Sequence, residues 1–553
     1  MVEIGSAMQV TSALNQGEEK TDIVTLDWQT PYRSQRAPLF AQNVVATSQP
    51  LAAQAGLSVL QSGGNAIDAA LAAAITLTVV EPVNNGIGSD AFALFNDPDQ
   101  ENEIIGLNAS GRSPAAWSPE HFRGQTSMPT RGWDAVTVPG AVSAWVALSD
   151  RYGALPFGSL FESAIRYAHD GYQVGYKTAY YWRAAEKTLS VFDGFRDTFL
   201  PDGRAPVAGE RITLVDHART LEAIAASHGD AFYSGALADA MVDDAKRLGG
   251  LLTHDDLTRH QVDWITPISQ SFAGVELHEI PPNGQGLMAL VALGILEHHD
   301  LSRYQVDSVD SVHLQIEATR LGYRDIAAHL ADHDHMTQSV ETLLDADRLA
   351  KLADGVSMQE AHPVPTQLGA GPDTVYLTTA DQSGRMVSLI QSNYQGFGSG
   401  IVVPGTGISL QNRGAGFSLI PGHPNEVDGR KRPYHTIIPG FVTDAGEPRM
   451  SFGVMGGHMQ AQGHVQMMVR IFIHGQNPQT ASDAPRWHLR EDGVVCLEPG
   501  FSQSIASALA DRGHTIEWFD REYLYGGAQL IYRMDEGYCA GSDHRKEGLA
   551  VGF

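Results

Sequence analysis

Two cysteines, Cys496 and Cys539, are all this chain of 553 residues holds. They form no C-x-x-C pair and no framework for a small disulfide-stapled fold. Such sparing use fits a reducing compartment. Positive charge is scarce too: 37 Lys and Arg face 64 Asp and Glu, a formal net charge of -27. Nucleic-acid binding needs clustered Lys and Arg against phosphate, so no such partner is expected. Long apolar runs are missing. The longest, Ala69 to Val80, falls short of the roughly 20 residues that span a bilayer. The first 40 residues show no basic stretch followed by an apolar one, so no secretory signal and no membrane are expected, and the cytoplasm is the default location.

Several chemical signatures are absent as well. No G-x-S-x-G occurs, so the serine nucleophile elbow is excluded. No H-E-x-x-H occurs. The Gly-rich stretches "GIGSDAF" and "GVMGGHMQ" match neither the dinucleotide fingerprint nor the P-loop. "HLADHDHM" crowds His329, Asp332, His333, Asp334 and His335 together, but adjacent alternating His and Asp read as a solvated helix end rather than converging ligands. No metal and no cofactor is expected.

What is present is a globular balance, 43% hydrophobic and 18% charged. Pro50 to Gln61 carries apolar residues at helical spacing. Gly63-Gly64 ends that helix, and Asn65 can cap the next, Ala66 to Val80, whose composition predicts burial on most sides. Strands are expected at Val44 to Thr47, Ala91 to Phe95 and Ile104 to Leu107, and the stretch from about 140 to 360 is largely helical. After the Pro/Gly-rich "EAHPVPTQLGAGPD" the chain turns to short strands. Thr374 to Ala380 and Met386 to Ser392 read as a hairpin around Asp381-Gln382-Ser383-Gly384. Strands from both parts point to one sheet-containing core.

Thr374 stands at that change of composition. Its hydroxyl is a weak nucleophile and needs a base, yet no histidine is near in sequence. A free α-amino group on the same threonine serves, provided the peptide bond before it is cut. Gly456-Gly457, after the strand-like "RMSFGVM", can offer backbone N–H groups to an oxyanion.

From Val44 to about Gly548 the chain resembles the gamma-glutamyltranspeptidase family of N-terminal-nucleophile hydrolases. The resemblance is carried in order by "SQPLAAQAGLSVLQSGGNAIDAALAAAITLTVVEPVNNGIGSDAFAL", "VTVPGAVSAWVALSDRYGALPF", "IPPNGQGLMAL", "DTVYLTTADQSGRMVSLIQS", "FGSGIVVPGTGISLQN", "RKRPYHTIIPG", "MGGHMQ" and "GSDHRKEG". It implies an α+β fold, the αββα four-layer sandwich. It implies a single precursor that cuts itself between Asp373 and Thr374. The parts are then an irregular arm (1–40), a helix-rich large subunit (41–373) and a strand-rich small subunit (374–553). The two subunits share one composite domain and form a heterodimer, with a dimer of heterodimers as a further alternative. Thr374 becomes nucleophile and base, Ser392 its supporting hydroxyl, and Gly456 and Gly457 the oxyanion hole.

The family's substrate shell is rewritten in this chain. Ser110 stands where the family has an arginine, leaving Arg112 as the nearby one. Gly416 stands where an aspartate holds the substrate's α-amino group; Tyr394 replaces an asparagine, Arg413 a glutamine, and His435-Thr436 a serine pair. An arginine suits a carboxylate, and without the aspartate a substrate ammonium group has no partner. The expectation is therefore hydrolysis of a small amide that carries a carboxylate and no α-amino group. Oxamate fits, and "GRSP", "NRGAGFS" and "RPYHT" are similar to the oxamate-amidohydrolase branch. Glutaryl-type amides, a gamma-glutamyltransferase or glutathione hydrolase, and a non-cleaving relative are the alternatives.

Overall fold

Alternating strand residues bury both faces here, because two sheets stack and each is covered by helices. The computed structural model describes residues 35–362 and 374–553. One seven-stranded sheet runs in spatial order Leu39–Ala41, Tyr538–Ser542, Gly527–Arg533, Glu447–Met455, Gly440–Asp444, Val275–Glu279 and Ile268–Phe272. The other runs Leu549–Gly552, Val44–Thr47, Val375–Ala380, Met386–Ser392, Asp90–Asp97, Glu103–Asn108 and Asp263–Ile265. Each sheet draws strands from before and after residues 363–373.

Three apolar cores separate the layers. The middle one joins the sheets face to face through Phe92, Leu94, Tyr376, Ile390, Phe441 and Ile531. A second packs the helices Pro50–Gln61, Ala66–Val80 and Ala141–Tyr152 onto the outer face of the sheet that holds Val375–Ala380. The third packs Gly286–Leu296, Val309–His329 and Met459–Met468 onto the other sheet. Helix, sheet, sheet, helix is the αββα order expected. Between the sheets, Gly453 faces the Tyr376 ring; a β-carbon there would lie 2.4 Å from it. No helix of the described residues is long and apolar enough to cross a membrane.

Local chemistry sets the elements much as the sequence suggests. Asn65 caps the helix Ala66–Val80, all of whose residues are buried, and Asp68 completes a capping box. The Asp68 carboxylate also accepts from the N–H groups of Ala154 and Leu155, 2.9 and 3.2 Å away. The hairpin runs Val375↔Gln391 to Ala380↔Met386. In its turn, Asp381 accepts from Ser383 N through one oxygen (2.9 Å) and from Ala66 N through the other (2.7 Å). One carboxylate thus shapes the turn and caps a helix from the other half of the chain. The irregular arm expected to residue 40 is described only from residue 35, and Leu39 and Phe40 already belong to a strand paired with Tyr538–Ser542.

Asp68→Ala should cost about 2 kcal/mol, because it removes the cap and the bonds to the Ala154 and Leu155 N–H groups together, whereas Asn65→Ala should cost about 1 kcal/mol. Urea unfolding midpoints of the two variants check that order.

Candidate active site

The register of three neighbouring strands brings the site together. Thr374 directly precedes the strand Val375–Ala380 and is buried. Ser392 ends the paired strand, and Asp90 lies across from Ser392 on the next one. Thr374 Oγ1 lies 3.1 Å from Ser392 Oγ. Ser392 Oγ in turn accepts the Tyr394 N–H at 2.8 Å. Gln460 Nε2 donates to Thr374 Oγ1 at 3.4 Å, while its Oε1 accepts from Ile438 N at 3.0 Å. Asp373 lies outside the described residues.

Gly456 and Gly457 link the strand Glu447–Met455 to the helix Met459–Met468. Their φ values of 133° and 59° are the conformations that favour glycine. A β-carbon on Gly456 would meet Gly526 Cα at 2.9 Å. The strand ladder ends at Met455↔Gly527, so both glycine N–H groups lie beyond it. Their carbonyls start the helix, accepting from Met459 N and Gln460 N.

Arg413 forms the other side of the site. Its side chain is 0% exposed. Nη1 donates to Thr436 Oγ1 at 2.9 Å, and the guanidinium carbon sits 4.2 Å from the centre of the Tyr394 ring. Tyr394 has φ 74°, unusual for a non-glycine residue, and this kink follows directly on the Ser392–Tyr394 hydrogen bond. Nε and Nη2 of Arg413 are buried without a hydrogen-bond partner. These two nitrogens make one edge of the guanidinium fork, the edge that binds a carboxylate with two parallel bonds. Burial lowers the Arg413 pKa to about 10, so the cation persists at neutral pH.

His435 is fixed from several sides. Nε2 is 3.2 Å from an Asp90 oxygen, Nδ1 accepts from Ile437 N at 3.3 Å, and the ring lies 4.7 Å from that of Phe92. Burial first, then the Arg413 and Arg432 charges, hold its pKa well below the usual histidine value. The ring is therefore neutral, and its contact with Asp90 is an Nε2–H donated to a carboxylate rather than an ion pair. Asp90 is pushed up to about 7 by burial, against the pull of Arg413.

The structure thus gathers Thr374, Ser392, Tyr394, Arg413, His435 and Thr436 into one linked group, with Gly456-Gly457 joined to it through Gln460. Arg112 is placed apart: its half-exposed guanidinium pairs with Asp332 at 2.8 Å and bonds Arg430 O. That contact also takes Asp332 out of the His/Asp cluster. Among the described residues no group of three or more His, Cys, Asp or Glu is arranged to hold a metal ion. Gly416 has no room for a side chain, since a β-carbon there would lie 2.6 Å from the Tyr434 carbonyl oxygen.

Three polar residues of the site went unnoticed in the sequence. Gln460 sits three residues after Gly457. Gln285 Nε2 donates to the carbonyls of Gly457 (2.9 Å) and Thr436, tying the two walls together. Asp90 is the third. Gln460 and Gln285 lie inside "MGGHMQ" and "IPPNGQGLMAL", and Asp90 inside "GIGSDAF", but nothing local marks them as polar contacts of a site. A cleft of about 380 Å³ lined by Gln382, Ser383, Arg533 and Tyr538 lies at the hairpin turn, the far end of the strand from Thr374, and contains none of these residues.

Known proteins resemble this chain over most of its length. The chain is 36% identical over 517 residues to the oxamate amidohydrolase proenzyme of Klebsiella pneumoniae subsp. pneumoniae, covering 91% of this chain and 97% of that one. It is 35% identical over 528 residues to the glutathione hydrolase-like YwrD proenzyme of Bacillus subtilis, covering 93% and 98%. The crystal structure of cephalosporin acylase from Bacillus halodurans superposes with a TM-score of 0.91 at 45% identity, over 96% of this chain and 99% of that one. A family model for gamma-glutamyltranspeptidase matches residues 52–553, and the chain belongs to that family, with its N-terminal-nucleophile hydrolase fold.

Proposed function

We propose that this protein is a self-cleaving amidohydrolase that uses Thr374 as nucleophile on a small amide bearing a carboxylate, oxamate being the simplest such substrate. The observation that carries the substrate class is the buried, unpaired Nε/Nη2 edge of Arg413. Unsatisfied buried donors cost about 1–3 kcal/mol each, more on a charged group, and a substrate carboxylate removes that cost. The place where the family resemblance expects an aspartate for an α-amino group is Gly416, without space for a side chain.

In maturation, Thr374 Oγ attacks the Asp373 carbonyl carbon and the C–N bond breaks, leaving an ester and a free Thr374 amine. Water hydrolyses the ester and releases the Asp373 carboxylate. The large and small chains then stay together as a heterodimer. In turnover, the Thr374 amine takes the hydroxyl proton as Oγ attacks the substrate amide. Ser392 and Gln460 hold the hydroxyl in line, and the N–H groups of Gly456 and Gly457 receive the oxyanion. The proton passes to the departing amine or ammonia. Water then attacks the acyl ester and frees the acid and Thr374. His435 takes no proton in this scheme, because its ring is neutral and both nitrogens are engaged.

A longer acyl group with a terminal carboxylate is the second reading, favoured by the 45% identity to a cephalosporin acylase. A panel of oxamate, glutaryl amides and γ-glutamyl anilides separates these from a glutathione-type activity, and efficient turnover of γ-glutamyl anilide alone would sink the reading of a substrate without an α-amino group.

Wild-type protein should give two bands on a denaturing gel. Thr374→Ala should give a single band near 59.6 kDa and release no ammonia from oxamate. Normal processing in that variant would remove Thr374 from its role. Arg413→Gln should lower kcat/KM for the carboxylate substrate by about 10²–10³, or about 3–4 kcal/mol, while a neutral amide changes by no more than a few-fold. Steady-state kinetics on the matched pair oxamate and oxamide reads that difference.

A further inference from the structure

Asp90 belongs to no motif of nucleophilic catalysis, yet it is buried against His435 beside Ser392. As the cross-strand partner of Ser392, it leaves the sheet on the same face. It is 0% exposed. One carboxylate oxygen accepts from Gly111 N at 3.2 Å; the other faces His435 Nε2. His435 continues into Thr436, whose hydroxyl holds Arg413.

The groups that face Asp90 can be counted. His435 is neutral. Arg432 is committed elsewhere, donating through Nη1 to the Asp263 carboxylate and through Nε to Ser110 O. Tyr233 contributes a phenol held un-ionised by burial. Gly111 and Gly140 supply only backbone N–H groups. Among the described residues Arg413 is the cation that acts most strongly on Asp90, ahead of Arg432. When a substrate carboxylate takes the open edge of Arg413, one buried cation faces two anions. In a low-dielectric site two like charges around one cation drive one of them to protonate. The weaker acid takes the proton. Asp90, already pushed up to about 7 by burial, is weaker than a simple α-substituted carboxylic acid.

We propose that Asp90 is the resident counter-charge of Arg413, and that a carboxylate substrate replaces it in that role, so that substrate binding is coupled to the uptake of one proton by Asp90. The proton comes from solvent and stays on the carboxyl. The imidazole of His435 keeps its Nε2–H, because Nδ1 already accepts from Ile437 N. Asp90 is thereby a positioning residue that selects singly charged acyl groups and sets the pH range in which they bind. This rests on the reading of Arg413 as the carboxylate anchor.

The sign follows from linkage. Bound anion raises the Asp90 pKa further, so binding is favoured when Asp90 is already protonated and weakens as pH rises above about 7. The ratio of kcat/KM for oxamate to that for oxamide cancels the titration of the Thr374 amine, which both substrates share. In wild type this ratio should be level at pH 5.5–6 and fall toward tenfold per pH unit above about 7. In Asp90→Asn it should be level throughout. Should that variant fail to mature, calorimetry on wild-type protein decides. Pyruvate, which has oxamate's shape but no amide to hydrolyse, should bind with uptake of close to one proton per site at pH 8 and none at pH 5.5, measured in buffers of different ionisation enthalpy. Equal kcat/KM for oxamate and oxamide at pH 6 would remove the Arg413 reading, and the coupling with it. Strong discrimination against oxamide that is independent of pH, with no proton taken up at pH 8, would overturn the coupling alone.

Discussion

The pairing register of Val375–Ala380, Met386–Ser392 and Asp90–Asp97 is the constraint on which the site depends. It sets Ser392 beside Thr374 and Asp90 beside Ser392. Side chains alternate faces along a strand, so a slip of one residue would turn Ser392 and Asp90 toward the helices and bring Gln391 and Ala91 inward. Burial forbids the slip. Both faces of these strands are covered, the inner by the opposite sheet and the outer by Ala66–Val80 and its neighbours. Asp381 adds a lock at the turn, joining the hairpin to that helix.

Two kinds of buried arginine show what this framework does with charge. Arg486 and Arg545 lie among Asp543 and Glu498, with contacts of 2.5 Å from Arg486 to Asp543 and from Arg545 to Glu498. That network pairs its charges internally and ties the C-terminal strands to the helix Pro478–Asp483. Arg413 is buried as deeply but keeps an edge unpaired. Burying a charge without satisfying it is costly. Tyr394 flanks that cation, since its backbone at φ 74° sets the ring against the guanidinium.

Much of this was legible in local chemistry. The hairpin, its turn and the Asn65 cap follow from β-branched runs, turn residues and capping preferences, which act over a few residues. Helix burial at Ala66–Val80 follows from composition. The αββα order came through family resemblance. The arms of the site were harder to read. Arg112 is near the right place in sequence, but Asp332, 220 residues on, captures it. Gly416 reads as a lost aspartate; the close Tyr434 carbonyl shows that the backbone itself fills the space.

By itself the sequence determined the element types, because these follow from residue type and short spacing; the nucleophile candidate and the rewritten substrate shell came through family resemblance. Tertiary structure alone decided that Gln460, Gln285 and Asp90 share a site with Thr374 and Arg413, and that Arg413 keeps one edge open. Those facts rest on contacts between segments far apart in the chain, where burial raises the energy of every unpaired charge and makes each missing hydrogen bond count.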